Sequence, residues 1–421
     1  METNHGSISR RDLFAVSGLA AGALVAGRGE AAVQAVKVPV SAVAVAKVPG
    51  YDVDLRAQVA TMFDQLGGLG NQVRGKTVAM KVNLTGTSGR GRRVGLSAGQ
   101  TSWVHPNVVA ALTAVFGKLG AKRIRILESS SRRDLSTPLE DAVLMDGWDV
   151  NLIKSAASNV EFEDTNWEGE GRQYSTLKVR DGKPYIFPAF MFNHSYVDCD
   201  FFVSVAKMKN HSELAITLSM KNLFGITPER LYGGEPGATL APGVSRSVRE
   251  RVFHYGQVQA PAGVPQELDP KTSRYEGWRM PRLLADLCGA RPIDLAVIDG
   301  IETIVGGEGT GDPGVKPVQP HLLVIGRNCV CTDSVAVATM GYNPRGTRLE
   351  APFRIYKIGH PRPNDQMHPV DGSHSYADNT MLMGEAAGLG STDLSKIEVL
   401  GVPIKEAVFD FEAAWKGQIK T

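Results

Sequence analysis

The chain is short of the residues that most readily announce a chemistry. Among its 421 residues there are four cysteines: Cys199, Cys288, Cys329 and Cys331. None forms a Cys-x-x-Cys pair or a ferredoxin-type run, so no internal iron–sulfur cluster is expected. Small buried core residues are the ordinary reading of such cysteines. An exported protein could pair them, but nothing in their spacing assigns a disulfide. Excess charge is equally scarce. The 46 Lys and Arg against 44 Asp and Glu leave a net charge of +2, and no basic block stands out, so no nucleic-acid partner is expected. No apolar run reaches the roughly 20 residues of a membrane-crossing helix, so no stable membrane span is expected. There is no Gly-x-Ser-x-Gly elbow and no His-Glu-x-x-His pair. The glycine-rich stretch 306–314 lacks the Lys-Ser/Thr ending of a phosphate-binding loop. Serine hydrolysis, zincin chemistry and Walker-type nucleotide binding therefore have no motif here.

What is present is ordinary globular material, 43% hydrophobic and 21% charged, ample for a large core. Ser9-Arg10-Arg11-Asp12-Leu13-Phe14 precedes a soft, Gly/Ala-rich apolar run over 15–27. This resembles a twin-arginine export signal. Residues 1–35 are read as that signal, with cleavage somewhere in 26–35. The expected partner is the twin-arginine machinery, and the expected destination is periplasmic or extracytoplasmic. Residues 36–421 are read as a single α/β domain with long loops at 228–280 and 342–390.

Apolar runs at 38–48, 76–82, 123–127, 201–206, 293–298, 321–325 and 397–400 read as strands. Helical spacing appears at 55–66, closed by Gly67-Gly68, and at 106–119, entered through His105-Pro106 and closed by Gly120. Residues 141–153 read as a helix followed by a short strand from Asp149. Alternation at 174–179 and 184–187 reads as a small antiparallel excursion. Helices are expected again at 280–288 and 333–340. Strand–helix–strand repetition points to an α/β fold, mainly a parallel sheet with helices on both faces.

Ligands of such sheets bind beyond the carboxyl ends of the strands. Those ends carry Lys81 and Asn83, Glu128, the run Lys207, Lys209 and His211, and Asp299. On extended backbone the i, i+2, i+4 spacing of Lys207, Lys209 and His211 puts all three on one face. A helix beginning at Ser212 would add its amide groups to anion binding, and a partly buried lysine could act as a base. Lys221 and Asn222 lie near the end of that helix, where a cation is favourable in any case. Glu128, Asp299, Glu308 and Asp333 are the candidate oxygen ligands for a hard divalent cation, although Asp333 also suits a helix cap. His105 is either a ligand or a helix-entry residue. His360, His368 and His374 lack compact metal spacing.

At these residues the sequence resembles the family called domain of unknown function 362. The resemblance rests on Lys81-Val82-Asn83-Leu84, His105-Pro106, Leu127-Glu128-Ser129, Lys207-Met208-Lys209-Asn210-His211, Ser219-Met220-Lys221-Asn222-Leu223-Phe224-Gly225, Ile298-Asp299-Gly300 and Thr332-Asp333-Ser334-Val335-Ala336. It covers roughly 76–344. Val82 stands where the family often has proline. Some relatives carry ferredoxin-like modules that this chain lacks. The resemblance implies the domain and the site positions but no particular reaction.

The expectation is an exported enzyme acting on a small anionic substrate, carboxylate or phosphate. Lys207, Lys209 and Lys81 would neutralise it, and His211 or a lysine would move a proton. Asn83, His105, Lys221 and Asn222 would bind substrate. The competing expectation is a non-catalytic extracytoplasmic protein that holds a ligand or cofactor at the same rim.

Overall fold

In the computed structural model, residues 38–85, 94–129, 137–180, 183–233, 248–312, 314–354 and 377–419 are described. The paired arginines at 10 and 11 and the histidines at 360, 368 and 374 lie outside them. The sheet strands are β1 (Val43–Lys47), β2 (Thr77–Val82), β3 (Arg123–Glu128), β4 (Val160–Asp164), β7 (Phe201–Lys207), β10 (Leu295–Gly300), β13 (Leu322–Gly326) and β14 (Val399–Gly401). Three small ladders use β5 (Ser175–Lys178) with β6 (Ala189–Phe192), β8 (Lys209–His211) with β9 (Ala215–Thr217), and β11 (Thr303–Val305) with β12 (Lys316–Val318).

The large sheet has the order β14-β1-β13-β10-β7-β2-β3-β4. From β10 to β4 every pairing is parallel. Only β13 runs against its neighbours, antiparallel to both β10 and β1. All seven residues of β7 and all six of β10 are buried. That is why these strands read as unbroken apolar runs rather than alternating ones.

Alternate residues feed two cores. Phe201, Val203 and Val205 meet Val59, Met62 and Phe63 of the helix Leu55–Gln65 and Val108, Leu112 and Phe116 of the helix Pro106–Lys118. Phe202, Ala296 and Ile298 join the opposite core with Leu283, Leu284 and Leu287 of the helix Glu276–Ala290 and Val335 of the helix Cys329–Thr339. Asp54 caps the first helix by accepting from Ala57 N, and the second begins at Pro106 behind a His105 side-chain cap. Gly67, Gly68 and Gly120 adopt positive φ just past those helices, the left-handed exit that glycine takes without steric cost. No helix among the described residues is long and apolar enough to cross a membrane. All four cysteines are free thiols.

Several local expectations are corrected. Residues 149–153 are not a strand: Asp149 accepts from Asn151 N and starts a short helix, Val150–Lys154. The stretch expected as loop over 228–280 carries the helices Glu229–Tyr232 and Val248–Phe253 and the first turn of Glu276–Ala290. No helix starts at Ser212. The chain instead turns from β8 into β9, with Ala215 at φ 73°, and only then enters the short helix Ser219–Asn222.

Buried Asp286 fastens the helix Glu276–Ala290 to the excursion, accepting from Tyr185 N at 2.7 Å, Ile186 N at 2.7 Å and Phe187 N at 3.0 Å. Burial pushes its pKa from 3.8 up to about 7, against those three bonds, which favour the ion. The folded chain therefore keeps a proton that the unfolded chain has lost between pH 3.8 and about 7. Stability falls as pH rises through that window and levels off above it. Urea unfolding at pH 5 and pH 8 should show a smaller drop between the two for Asp286→Asn than for the natural chain.

Candidate functional site

The strand ends do not form one rim. They form a sealed charge cluster and an open pocket. The division occurs at Met208, where the chain leaves β7. Met208 N donates to Asp299 O at 2.8 Å and Met208 O accepts from Thr303 Oγ1 at 2.5 Å. Lys207 ends the large sheet, whereas Lys209 and His211 belong to a separate ladder. The face-sharing read from the i, i+2, i+4 spacing stops at that bend.

Lys207 is fully buried. Its ammonium donates to Asp299 Oδ2 at 3.0 Å, Tyr51 Oη at 2.8 Å and Gly99 O at 2.7 Å, which uses all three of its protons. Asp299 is equally committed. It accepts from Tyr51 Oη, His105 N and Ile301 N as well. His105 stacks on Tyr51 with ring centroids 3.6 Å apart and accepts from Asn107 N through Nδ1. Burial lowers its pKa to about 4 and outweighs Asp299, which pulls the other way. His105 is a neutral cap in this cluster. Tyr51 was not singled out from sequence, and an isolated tyrosine after Pro49-Gly50 carries no signal that would have done so.

The pocket opens beyond β2 and β3 and holds about 130 Å³. Its lining includes Lys81, Asn83, Glu128, Lys209, His211, Lys221, Asn222 and Glu308 from the sequence reading, together with Glu213, Arg249 and His254. Lys207, His105, Asp299 and Asp333 are not among its lining residues. Asp333 lies within the helix Cys329–Thr339 and accepts from Ser219 N and Oγ and from Met220 N. It anchors the start of the helix that carries Lys221, and burial pushes its pKa up to about 7.

Most of the pocket's charges are already used. Lys81 donates to Val82 O at 2.5 Å and to Asn222 Oδ1 at 3.0 Å and pairs with Glu128 Oε1 at 2.8 Å. The carboxylate of Glu128 also accepts from Leu84 N and Ser129 N. Asn222 returns Nδ2 to Lys81 O, Ser204 Oγ and Val205 O. Asn83 Oδ1 accepts from Lys207 N, and its Nδ2 donates to Thr85 Oγ1. Lys209 donates to Glu308 O. Arg249 pairs with Glu229 at 3.0 Å and donates to Thr227 O at 2.7 Å.

His211 Nδ1 accepts from Glu213 N and Leu214 N, so its proton sits on Nε2, 2.6 Å from Glu308 Oε2. Burial lowers the His211 pKa and, with those two bonds to Nδ1, keeps the ring neutral. Burial opposes ionisation of Glu308, but its basic neighbours hold its pKa well below the usual carboxylate range.

Lys221 differs from the other basic groups. It is half-buried in the pocket wall with its ammonium 5.0 Å from the centre of the Phe224 ring. Among the described residues it makes no hydrogen bond and no ion pair. Burial is the largest influence on its pKa and lowers it, against Glu308 and Glu213, which raise it.

A second set was not found from sequence. Glu213, His254 and Glu276 each bring one ligand atom to within 4.8 Å of the others, a spacing compatible with one divalent cation. They come from the β8–β9 turn, the residue after the helix Val248–Phe253 and the first residue of the helix Glu276–Ala290. No local motif spans such separations.

Gly225 explains the glycine of the Lys-Asn-Leu-Phe-Gly run. A Cβ there would lie 2.7 Å from Lys81 Nζ and 2.9 Å from Glu128 Oε1. Gly225→Ala should therefore force the buried pair apart, losing about 3–5 kcal/mol on the scale of a broken buried ion pair. Lys207→Met, which strands Asp299, should cost a similar amount. Chemical denaturation checks both.

The family profile described as Domain of unknown function (DUF362) matches residues 78–338. A thylakoid-associated protein of Synechocystis sp. is 24% identical over 180 residues, covering 42% of this chain and 47% of that protein. The chain thus aligns with about half the length of that relative. A crystal structure of a protein from Thermotoga maritima aligns with a TM-score of 0.30 and 12% identity, over 62% of this chain and 52% of that one.

Proposed function

This chain belongs to the DUF362 family, and from its pocket we propose an enzyme that acts on a small anionic substrate, carboxylate or phosphate, at the carboxyl ends of β2 and β3. The observation that carries this reading is the ammonium of Lys221, which lines the pocket without a hydrogen bond or ion pair among the described residues. Lys81, Lys209 and Arg249 already hold acceptors of the protein itself. Their role is to fix the walls and supply background positive potential, while Lys221 meets the ligand directly.

The volume suits a small ligand. About 130 Å³ is close to the roughly 150 Å³ of a cavity that accepts benzene. Burial that lowers the Lys221 pKa also enlarges its neutral fraction, so the same amine can take a proton from a bound acid. In this reading His211 and Glu308 position the pocket rather than exchange protons with substrate, because their facing atoms are bonded to each other. The proposal includes twin-arginine export of the folded chain to the periplasm, supported by the Arg10-Arg11 segment. Replacing both arginines by lysine should leave the protein in the cytoplasmic fraction.

Calorimetric titration with inorganic phosphate and a panel of two- to four-carbon carboxylates tests the site. Binding of at least one should weaken 10-fold or more in Lys221→Met while the unfolding midpoint stays within about 2 °C. Equal affinity in Lys221→Met sinks the proposal. Binding without turnover of any ligand favours the non-catalytic holder over the enzyme.

A further inference from the structure

We infer that Glu213, His254 and Glu276 form a binding site for a single first-row divalent metal ion at the wall of the pocket. The inference goes beyond the anion reading and does not depend on it.

Two carboxylates and one imidazole, from three separate segments, place ligand atoms within 4.8 Å of one another. His254 Nδ1 lies 2.5 Å from Glu276 Oε1 and 3.6 Å from Glu213 Oε2. The same ring nitrogen thus faces an oxygen from each carboxylate, and a cation bound there would have one nitrogen and two oxygen donors. This mixed set suits Mn²⁺, Fe²⁺, Co²⁺ or Zn²⁺ better than Ca²⁺, which favours six to eight oxygens.

Burial adds a second argument. Glu276 is 1% exposed and His254 5% exposed. A second carboxylate, the partly exposed Glu213, meets buried Glu276 there, and such an approach is favourable only around positive charge. A metal held at Nδ1 would supply that positive charge in place of an imidazolium; in both states the ring keeps a proton on Nε2, which is buried and without a partner among the described residues.

Access is consistent with this assignment. Glu213 and His254 line the pocket, whereas Glu276 is buried and is not among its lining residues. An ion held there would have protein ligands on its inner side and open positions toward the pocket, the arrangement of metal sites that engage a substrate. The nearby oxygen-donor candidates are less available. Both oxygens of Glu128 accept backbone amides, and Glu308 Oε2 faces His211.

The test uses the full-length purified chain, stripped with a chelator and then titrated with Mn²⁺ while free ion is followed by electron paramagnetic resonance. Zn²⁺ is the competing ion. One Mn²⁺ per chain is expected, displaced stoichiometrically by Zn²⁺. His254→Ala and Glu276→Gln should each weaken binding by at least about 100-fold, the top of the range for losing a residue that only supports a ligand. Glu276 is deeply buried, so Glu213→Gln provides a third variant at a partly exposed ligand. Circular dichroism identifies variants that remain folded. Lys221→Met should keep the ion, so anion affinity unchanged in that variant, with the metal still bound, defeats only the earlier proposal. The metal inference is overturned if the natural chain takes up no stoichiometric Mn²⁺ or Zn²⁺ at micromolar concentration, or if folded ligand variants bind as tightly as it does.

Discussion

Burying an ammonium group requires an acceptor for each of its protons, and this structure meets that demand twice at the centre of one sheet. Lys81 ends its reach at Val82 O, Asn222 and Glu128, and Lys207 at Asp299, Tyr51 and Gly99. Adjacent strands carry the two lysines. An unmatched charge at that depth would cost several kcal/mol. The acceptors consequently dictate much of the surrounding chain. The Leu223–Ile226 turn must present no Cβ at Gly225, the segment entering the second helix must offer Gly99 O, and the loop after β1 must bring in Tyr51.

The pocket is what remains after those demands are met. Its walls are tied together by bonds between their charged members, and Lys221 is the basic group that escapes such pairing among the described residues. Lys221 projects from a four-residue helix whose start is fastened by Asp333, a carboxylate in a different helix. The side chain best placed to meet a ligand is thus positioned by a residue that never touches it. The Glu213–His254–Glu276 cluster stands beside Lys221 and gives the pocket acidic as well as basic character.

Much of the architecture was legible in the sequence. The parallel α/β arrangement followed from apolar runs alternating with helical spacing, because strands buried on both faces have no reason to alternate. The strand-end position of Lys81, Glu128, Lys207 and Asp299 was legible for the same reason. Which residues share a cavity was not. Lys207 and Lys209 are two apart, yet the bend at Met208 sends one into the sealed cluster and leaves the other at the pocket. Periodicity assumes a continuous element, and it fails where tertiary hydrogen bonds end that element. His254 and Glu276 were invisible for a related reason: their meaning arises only when two distant segments cross the β8–β9 turn. Lys221 was noticed, but a cation near a helix end has a local explanation, and only its lack of hydrogen-bond and ion-pair partners among the described residues separates it from that one.

The strand order has a kinetic consequence. β7 lies between β2 and β10, pairing Val78 with Phe201 and Leu295 with Val203. Both seams join segments roughly a hundred residues apart along the chain. Closing such long loops before any contact rewards them slows the search for the native state. The outer β2–β3–β4 unit, linked by shorter connections, can assemble first and wait for β7 as its central partner. Until then, hydrogen-bonding edges on both sides of the missing strand stay open to pairing with other chains. The β1–β13 seam, which pairs Val43 with Gly326, closes a still longer loop, so the same argument makes the β1 side of the sheet slower to join than its middle.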